Sequence, residues 1–310
     1  MNGKKKKKIK GGFNVKYKIT CCSTADLSEQ YLSKRGIPYI PFHFQIDGED
    51  YLDDLGKSIP PKEFYERIEK GAMPVTSQVN AEEYKDFFKA FLEDGYDVLH
   101  ISLSSGISGT YNSAQIAREE LKEEYPERRI VVIDSLAASS GYGMLVDALV
   151  DKKAEGMLFE DMVQWVEQHK LEVNHWFYSS DLTHFKRGGR ISPAAATFGN
   201  ILNICPILDI NFEGKLIPRK KVRGKKVMRE LVDIMETCAQ GGVQYSGKCF
   251  ISHSAKYEEA KLIADMIEER FPNLNGNVEI FDIGAVIGAH TGPGTVALFF
   301  FGNRREKENK

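Results

Sequence analysis

The chain has 310 residues, of which 42% are hydrophobic, so it can bury the core of two domains or of one large domain. No apolar run approaches the roughly 20 residues that a membrane-spanning helix requires, and the N-terminus lacks the apolar stretch of a secretory signal. The five cysteines form no C-x-x-C pair and leave one over, which argues against a disulfide framework. These features predict a globular, cytoplasmic protein with reduced cysteines.

The formal net charge of −2 is unevenly distributed. The first 18 residues contain eight lysines and no acidic residue, so the remaining chain carries 34 basic and 44 acidic residues, a balance of −10. Residues 1–14 are predicted to form a basic, disordered tail. Such a tail suits transient contact with an anionic membrane surface, whereas the acidic body argues against nucleic acid as a partner.

Short β-rich segments alternate with helical segments along the chain, which predicts an α/β fold with mainly parallel sheets. Residues 23–26, Ser-Thr-Ala-Asp, offer caps for the first helix. Residues 37–46 contain two prolines and are predicted to lie at a sheet edge, with Asp47-Gly48 as a hairpin turn. In the first half, strands are predicted at 15–22, 96–103 and 129–135, and helices at 61–70, 81–93 and from about residue 110.

A change of domain is predicted near residue 170, which divides the folded chain into residues 15–170 and 171–310. Two segments flank a turn around Gly214 and are predicted to pair as antiparallel strands. A helix is predicted from about residue 225 to 238. Beyond residue 170, strands are predicted at 173–180, 204–210, 216–222, 248–253, 277–283 and 295–302.

Three segments rich in hydroxyl groups and glycine lie beside apolar strands: residues 76–78, 104–110 and 290–295. Small side chains let backbone N–H groups turn toward a bound group, and hydroxyl groups add donors without adding charge. The segment at 104–110 follows a predicted strand and precedes a helix, which is where open α/β sheets bind ligands. The three segments therefore suit a phosphate or a carboxylate.

Enzyme signatures are weak in this sequence. It has no G-x-S-x-G elbow, no Walker sequence, no H-E-x-x-H and no G-x-G-x-x-G after the first strand. Its histidines and cysteines show no compact spacing for a metal, so no metal site is expected. The enzyme alternative that stays open is an acyl- or phospho-transferase, with Ser108 or Cys22 as nucleophile and His290 as base.

Taken in order, six segments of the sequence resemble the DegV family of bacterial fatty-acid-binding proteins over most of the chain. They are residues 23–26 (Ser-Thr-Ala-Asp), 76–78 (Thr-Ser-Gln), 104–111 (Ser-Ser-Gly-Ile-Ser-Gly-Thr-Tyr), 187–191 (Arg-Gly-Gly-Arg-Ile), 221–223 (Lys-Val-Arg) and 290–295 (His-Thr-Gly-Pro-Gly-Thr). The resemblance implies two α/β domains with a lipid tunnel between them that holds one long-chain fatty acid, such as palmitate. It also implies a carrier, not an enzyme, that needs no cofactor and presents the carboxylate of the acid to a fatty acid kinase.

The same resemblance implies a headgroup site for the fatty-acid carboxylate. Thr76 and a serine of the Ser/Gly loop, Ser108 or Ser105, would hydrogen-bond the carboxylate, and His290 would lie at the same headgroup. A carboxylate taken from water needs several hydrogen bonds, and a protonated imidazole would supply a charge-assisted one. The alternatives are that Thr76 caps the following helix and that Ser108 satisfies backbone groups of its own loop.

Two arginines complete the comparison with the family. Arg190 resembles an interior arginine of the family, and Arg223 resembles a surface arginine that works with the kinase. From the residues alone, the two glycines before Arg190 allow a tight turn, so its guanidinium either clamps an anion or ties two domains together through carbonyls or a carboxylate.

One position departs from the family pattern, because Cys22 stands where members usually carry aspartate. The change alters either a hydrogen bond of the turn or the charge near the headgroup. As a thiol at a strand end before a helix, Cys22 is either activated or simply buried. A lipid-responsive regulatory module stays open as a third function.

The tail of the acid is expected to supply most of the affinity, at about 0.8 kcal/mol for each buried CH₂ group. The apolar wall of the tunnel is expected from residues 194–208 and from the strands near 96–103 and 248–252.

Overall fold

The structure is a computed structural model that describes residues 16–196 and 204–307. The predicted basic tail, residues 1–14, lies outside the described residues. Residue 15 of the predicted strand at 15–22 also lies outside them, as do residues 197–203 of the segment 194–208 that was expected to line the tunnel.

Strands and helices alternate through the first half of the chain. Helix α1 begins after Ser28, whose hydroxyl group accepts a hydrogen bond from the Tyr31 N–H, so the predicted caps at residues 23–26 are wrong. Helix α3 begins after Asn80, which forms a capping box with Glu83. The elements are β1 (Tyr17–Cys22), α1 (Glu29–Arg35), β2 (Tyr39–Ile40), β3 (His43–Ile46), β4 (Glu49–Leu52), α2 (Pro61–Glu69), β5 (Val75–Ser77), α3 (Ala81–Glu93), β6 (Asp97–Ser102), α4 (Thr110–Glu124) and β7 (Ile130–Asp134).

Two sheets are built from these strands. A parallel four-stranded sheet has the order β2-β1-β6-β7, and the central strand β6 is buried at every position. An antiparallel three-stranded sheet has the order β4-β3-β5. The prediction of an edge position for residues 37–46 is confirmed for β2 and wrong for β3, which lies between two partners.

Two helices complete the chain up to residue 170, and strands and helices alternate in the second half that follows. The turn predicted around Gly214 is confirmed: Asn211 N–H donates to the Lys215 carbonyl, and Gly214 has a φ of 73°. The elements are α5 (Ser140–Ala154), α6 (Phe159–His169), β8 (Val173–Ser179), α7 (Thr183–Arg187), α8 (Pro193–Ala196), β9 (Ile204–Ile210), β10 (Leu216–Arg223), α9 (Lys226–Cys238), β11 (Cys249–His253), α10 (Tyr257–Arg270), β12 (Glu279–Asp282), α11 (Ala285–Thr291) and β13 (Thr295–Phe301).

The strands of the second half form one six-stranded sheet with the order β10-β9-β8-β13-β11-β12. All of its neighbouring pairs are antiparallel except β11 and β12. The fold is therefore α/β as predicted, but the expectation of mainly parallel sheets holds only for the four-stranded sheet of the first half. Strands β9 and β10 are joined by the tight turn around Gly214, so they must run in opposite directions. They form the pair at one edge of this sheet.

Helix α5 lies between the two main sheets and contacts β1, β8, β11 and β13. Most of its side chains are buried, including the carboxylate of Asp147. Arg35 from the first half and Lys248 from the second half both pair with Asp147. A buried carboxylate held by two cations from opposite sides is costly to leave unpaired, so these contacts fix the halves against α5.

A second connection between the halves is made by Arg305 near the C-terminus. Its Nη1 donates to the Leu136 carbonyl at 2.7 Å and to the Asn211 carbonyl at 3.0 Å, and its Nη2 donates to the Lys170 carbonyl at 3.2 Å. The same guanidinium therefore holds a loop of the first half and the β9–β10 hairpin of the second half. The domain boundary near residue 170 stays a prediction.

None of the helices in the described part of the chain combines the length and the apolar character needed to span a bilayer.

Candidate functional site

A cavity lies between the two halves, and the space open to the centre of a water molecule is about 220 Å³. Most of its wall is apolar, and a smaller polar part contains several of the residues singled out in the sequence. The walls come from both halves of the chain. The lining residues are Phe42, Thr76, Gln78, Leu103, Ile107, Ser108, Ala138, Ser139, His175, Phe177, Phe185, Arg190, Ile210, Leu216, Ile283, Val286, Ile287, His290, Thr291, Thr295, Ala297 and Phe299.

Thr76 and His290 are in direct contact in the polar part of this cavity. Thr76 lies on β5, the edge strand, and its Oγ1 is 2.8 Å from His290 Nε2 on α11. The two residues are 214 positions apart in the sequence. Asn80 caps helix α3, so Thr76 does not have the capping role that was its alternative.

The His290 ring is packed tightly and is electrostatically disfavoured as a cation. Its Nδ1 is buried and has no hydrogen-bond partner among the described residues. A Cβ atom on Gly188 would lie 2.2 Å from that nitrogen, so a glycine is needed there. Burial, with help from the positive charges of Arg190 and Arg187, lowers the pKa of His290 to about 4. Without a carboxylate beside it, the ring is therefore neutral at pH 7, and a protonated imidazole in the presence of a bound fatty acid stays a prediction.

Ser108 and Ser105 occupy different environments, although they lie in one loop. Ser108 lines the cavity, and its Oγ also accepts a hydrogen bond from the Thr110 N–H at 3.2 Å. Ser105 is exposed, does not line the cavity, and donates its backbone N–H to Asp134. The geometry thus brings Ser108, and not Ser105, to the polar cluster.

Arg190 lines the cavity and also joins the two halves. Its Nε donates to the Ile107 carbonyl at 3.2 Å, and its Nη1 donates to the Gly188 carbonyl. The carbonyl tie that was one alternative is therefore present. The guanidinium of Arg190 is partly buried where it faces the cavity, and this loss of solvation lowers its pKa. The same side chain thus connects the Ser108 loop to the turn that packs on His290.

Arg223 lies outside this cluster. It is exposed at the last position of β10, whereas Leu216 at the first position of that strand lines the cavity. Seven residues of extended strand separate them by roughly 23 Å. The structure therefore keeps Arg223 away from the headgroup and on the surface.

The nucleophile roles considered for the enzyme alternative are poorly supported by the geometry. Cys22 is fully buried and its Sγ is 3.2 Å from the Tyr84 hydroxyl; burial raises the pKa of the thiol to about 12. A thiol with this pKa does not supply a thiolate at neutral pH, so of the two alternatives for Cys22 the geometry favours the buried thiol over the activated one. His290 is hydrogen-bonded to Thr76 instead of Ser108, and a base with a pKa near 4 removes a proton poorly at pH 7.

Several parts of the cavity were not found from the sequence. Gln78 belongs to the segment 76–78 but was given no role there; it also lines the cavity, where its amide donates to Ser113 Oγ. Of the expected tunnel strands, the one near 96–103 contributes Leu103, while residues 248–252 are absent from the wall. Strands β8 and β13 take that place, with alternate residues facing the cavity: His175 and Phe177, and Thr295, Ala297 and Phe299. Residues 295, 297 and 299 share one face of β13, but the strand is apolar beyond Thr295, so its sequence does not show which face meets the cavity.

No group of three or more histidine, cysteine, aspartate or glutamate side chains within residues 16–196 and 204–307 has the arrangement of a metal site.

Comparison with known proteins identifies the family. A family model described as "Uncharacterised protein, DegV family" matches residues 16–303. The chain belongs to the DegV family. A DegV domain-containing protein of Clostridium perfringens is 38% identical to this DegV chain over 292 residues, which cover 94% of this chain and 99% of the relative.

Solved structures of other family members have the same fold. A DegV family protein from Thermus thermophilus, described by its fatty-acid binding, has a TM-score of 0.82 and 26% identity and covers 93% of this chain and 100% of its own. A DegV lipid-binding protein from Thermotoga maritima has a TM-score of 0.81 and 28% identity, with 94% and 100% covered. The two-part α/β architecture of this chain is thus that of lipid-binding DegV structures.

Proposed function

We propose that this DegV protein binds one long-chain fatty acid in the cavity between its halves and acts as a carrier for it. The observation that carries the proposal is a mainly apolar cavity whose wall includes the polar side chains of Thr76, Ser108, Arg190 and His290, with Thr76 hydrogen-bonded to His290. An apolar chain gains from burial along the wall, and a carboxylate gains from the donors. The fatty-acid and lipid binding of the two structural relatives supports the same ligand class.

The headgroup chemistry follows from the protonation states. With a neutral imidazole, one ring nitrogen is a donor and the other an acceptor. The Thr76 and Ser108 hydroxyls and the remaining N–H groups of Arg190 are then the donors available to a carboxylate. A bound carboxylate would also favour the protonated form of His290, because an opposite charge nearby raises a histidine pKa. Binding is therefore coupled to proton uptake at His290.

We infer that the carrier presents the carboxylate to a fatty acid kinase, as the family resemblance implies, and does not itself catalyse a reaction. The exposed position of Arg223 supports a role in contact with a partner and not with the fatty acid. The five cysteines are all free, which suits the reducing cytoplasm as the working compartment. A membrane contact of the lysine-rich N-terminal segment is part of the proposal.

The decisive experiment identifies the ligand and its site together. The protein is purified from a bacterial host and extracted with organic solvent, and the extract is analysed by mass spectrometry. We expect one equivalent of a long-chain fatty acid, strongly reduced in Ser108→Ala and unchanged in Ser105→Ala, the matched control from the same loop. An empty extract, with no uptake of added fatty acid, would overturn the proposal.

The carrier and enzyme roles are separated by turnover. The carrier should release its fatty acid chemically unchanged after prolonged incubation. A purified fatty acid kinase with ATP should form acyl phosphate faster when the acid is bound to the wild-type carrier than to Arg223→Ala, with equal fatty-acid occupancy in both. Product formed without the kinase, and lost in His290→Ala, would favour the enzyme.

A further inference from the structure

Asp26 is a buried carboxylate that does not line the fatty-acid cavity, although it contacts two of the elements that do. The residue is 3% exposed and has a left-handed backbone conformation, with a φ of 46°. Its Oδ1 accepts a hydrogen bond from the Gly284 N–H at 3.0 Å, and its Oδ2 accepts one from Ser139 Oγ at 2.5 Å. Non-glycine residues rarely adopt this backbone conformation, so the surrounding contacts must hold it in place.

Gly284 is the residue that caps helix α11. Its backbone N–H points at Asp26, and a Cβ atom added to Gly284 would lie 2.9 Å from Asp26 Oδ1 and 3.5 Å from Asp53 Oδ1. The absence of a side chain at Gly284 therefore allows two buried carboxylates to approach the start of α11. Acceptor oxygens at this end satisfy otherwise unpaired N–H groups of the helix.

Helix α11 leads from this anchor to the headgroup. Val286, Ile287, His290 and Thr291 on α11 all line the cavity, and His290 contacts Thr76. Because the helix has only seven residues, a shift at its start is transmitted directly to His290. The Tyr65 hydroxyl, which donates to the Ile283 carbonyl at 2.7 Å, fixes the same segment from the side of α2.

The other partner of Asp26 is Ser139, which lines the cavity wall just before α5 and is also 3.0 Å from Ser252 Oγ on β11. Asp26 and Ser139 precede residue 170, whereas Gly284 and Ser252 follow it. This chain of hydrogen bonds therefore connects the two halves of the protein beside the cavity.

We infer that Asp26 is a positioning residue for fatty-acid binding: through Gly284 it fixes the start of α11 and thereby the place of His290 relative to Thr76. The effect of Asp26 on fatty-acid affinity rests on the proposed function. The effect of Asp26 on the position of His290 does not, because it can be measured without ligand. Asp26 itself does not contact the fatty acid.

The test compares Asp26→Ala with Asp26→Asn. Burial raises the pKa of Asp26 well above its ordinary value, so a neutral amide is a fair mimic of this side chain. The asparagine oxygen can still accept from Gly284, and its NH₂ group can donate to Ser139. Asp282→Asn is the matched control, since Asp282 is a more exposed carboxylate two residues before Gly284.

Two measurements are made on each variant. The first is the NMR signal of the His290 ring in the ligand-free protein, and the second is the dissociation constant for a long-chain fatty acid. We expect Asp26→Ala to shift the His290 signal and to weaken binding about tenfold, the size of leaving one buried N–H group without its acceptor. Asp26→Asn and Asp282→Asn should resemble the wild type in both.

The outcomes separate the two proposals. An unshifted His290 signal in a folded Asp26→Ala protein would overturn the positioning role. A shifted signal in a protein that binds no fatty acid would uphold the positioning role and reject the proposed ligand. If Asp26→Ala does not fold, Gly284→Ala displaces the same contact from the other side and should shift the His290 signal in the same way, and an unshifted signal there would likewise overturn the role.

Discussion

Thr76 on the edge strand β5 and His290 on helix α11 meet at 2.8 Å, although 214 positions separate them in the sequence. This contact is where the two halves of the protein close around the polar part of the cavity. When His290 Nε2–H is the donor of this contact, the Thr76 hydroxyl keeps its own O–H group free to donate. The pair can therefore offer a donor to a carboxylate without being broken.

Replacing Thr76 by valine should weaken fatty-acid binding about tenfold or more. Valine keeps the branched shape but removes the hydroxyl, and one lost hydrogen bond to a charged group is worth about 1.5–3 kcal/mol. Isothermal titration calorimetry with a long-chain fatty acid measures the loss. Ser77→Ala, at the exposed next residue of the strand, is the control and should bind normally. Equal affinity of the two variants would remove Thr76 from the headgroup site.

The pKa of His290 should be about 4 in the ligand-free protein and should rise when fatty acid is bound. Burial and the nearby arginines disfavour the cation, whereas a carboxylate favours it. An NMR titration of the ring signals in both states tests this. Arg187→Gln should raise the pKa of His290 in the ligand-free protein, since Arg187 is one of the charges that lower it. A His290 pKa that is the same with and without ligand would place the carboxylate elsewhere.

Asp53 should make stability depend on pH in a predictable direction. Burial raises the pKa of its carboxyl group to about 6, above its ordinary value of 3.8. The folded protein holds the Asp53 proton more tightly than the unfolded chain does. This contribution to the free energy of unfolding is complete below the pKa of the unfolded state, and it is lost as pH rises through the pKa of the folded state. The free energy of unfolding of the wild type should therefore fall relative to that of Asp53→Asn as pH rises from 4 to 7, because asparagine does not titrate. Urea unfolding at these pH values measures the difference, and a constant difference would contradict the raised pKa.

Ala297 should set how much of a long acyl chain the cavity accepts. It lies on β13 between Thr295 and Phe299, the other two residues of that strand that face the cavity. Phenylalanine at this position fills space that the chain needs, so Ala297→Phe should favour shorter fatty acids over longer ones. Competition among acids of different length, read by mass spectrometry, measures the preference. Thermal unfolding of the variant shows whether overpacking alone has disturbed the fold.

Arg305→Ala should destabilise the protein by about 3 kcal/mol, because it leaves several buried carbonyl groups without their donor. Urea unfolding measures the loss. Arg304→Ala is the matched neighbour: Arg304 is exposed and donates to the Gln168 carbonyl, and its loss should cost little. Similar losses for the two variants would show that the buried guanidinium does not stabilise the protein.

The elements of the fold were largely predictable, because each is determined by local signals. Helix α3 was predicted at residues 81–93, as observed, since its apolar spacing and its start at Asn80 agree. Strand β5 was missed because three mostly exposed residues carry no hydrophobic pattern. Helix α11 was missed because it is short and glycine-containing, and its start depends on Asp26 and Asp53, which are distant in the sequence.

The candidate site was predictable only in part. Thr76, Ser108, Arg190 and His290 were chosen from short motifs, and they line one cavity. Sequence did not separate Ser108 from Ser105, because only the loop conformation directs one of them to the cavity. The lowered pKa of His290 was also not predictable from the sequence, since burial and nearby arginines are properties of the assembled structure and not of a motif.

The β9–β10 hairpin fits closely against the Ser/Gly loop: Ser104 Oγ donates to the Gly214 carbonyl, and a Cβ atom on Gly106 would lie 2.5 Å from the Glu213 carbonyl oxygen. Two backbones that meet without room for a methyl group leave little freedom for substitution on either side. A chimera that takes residues before 170 from one relative and the rest from another would place two unmatched surfaces in this contact. We therefore expect the two halves of the cavity to work as a matched pair.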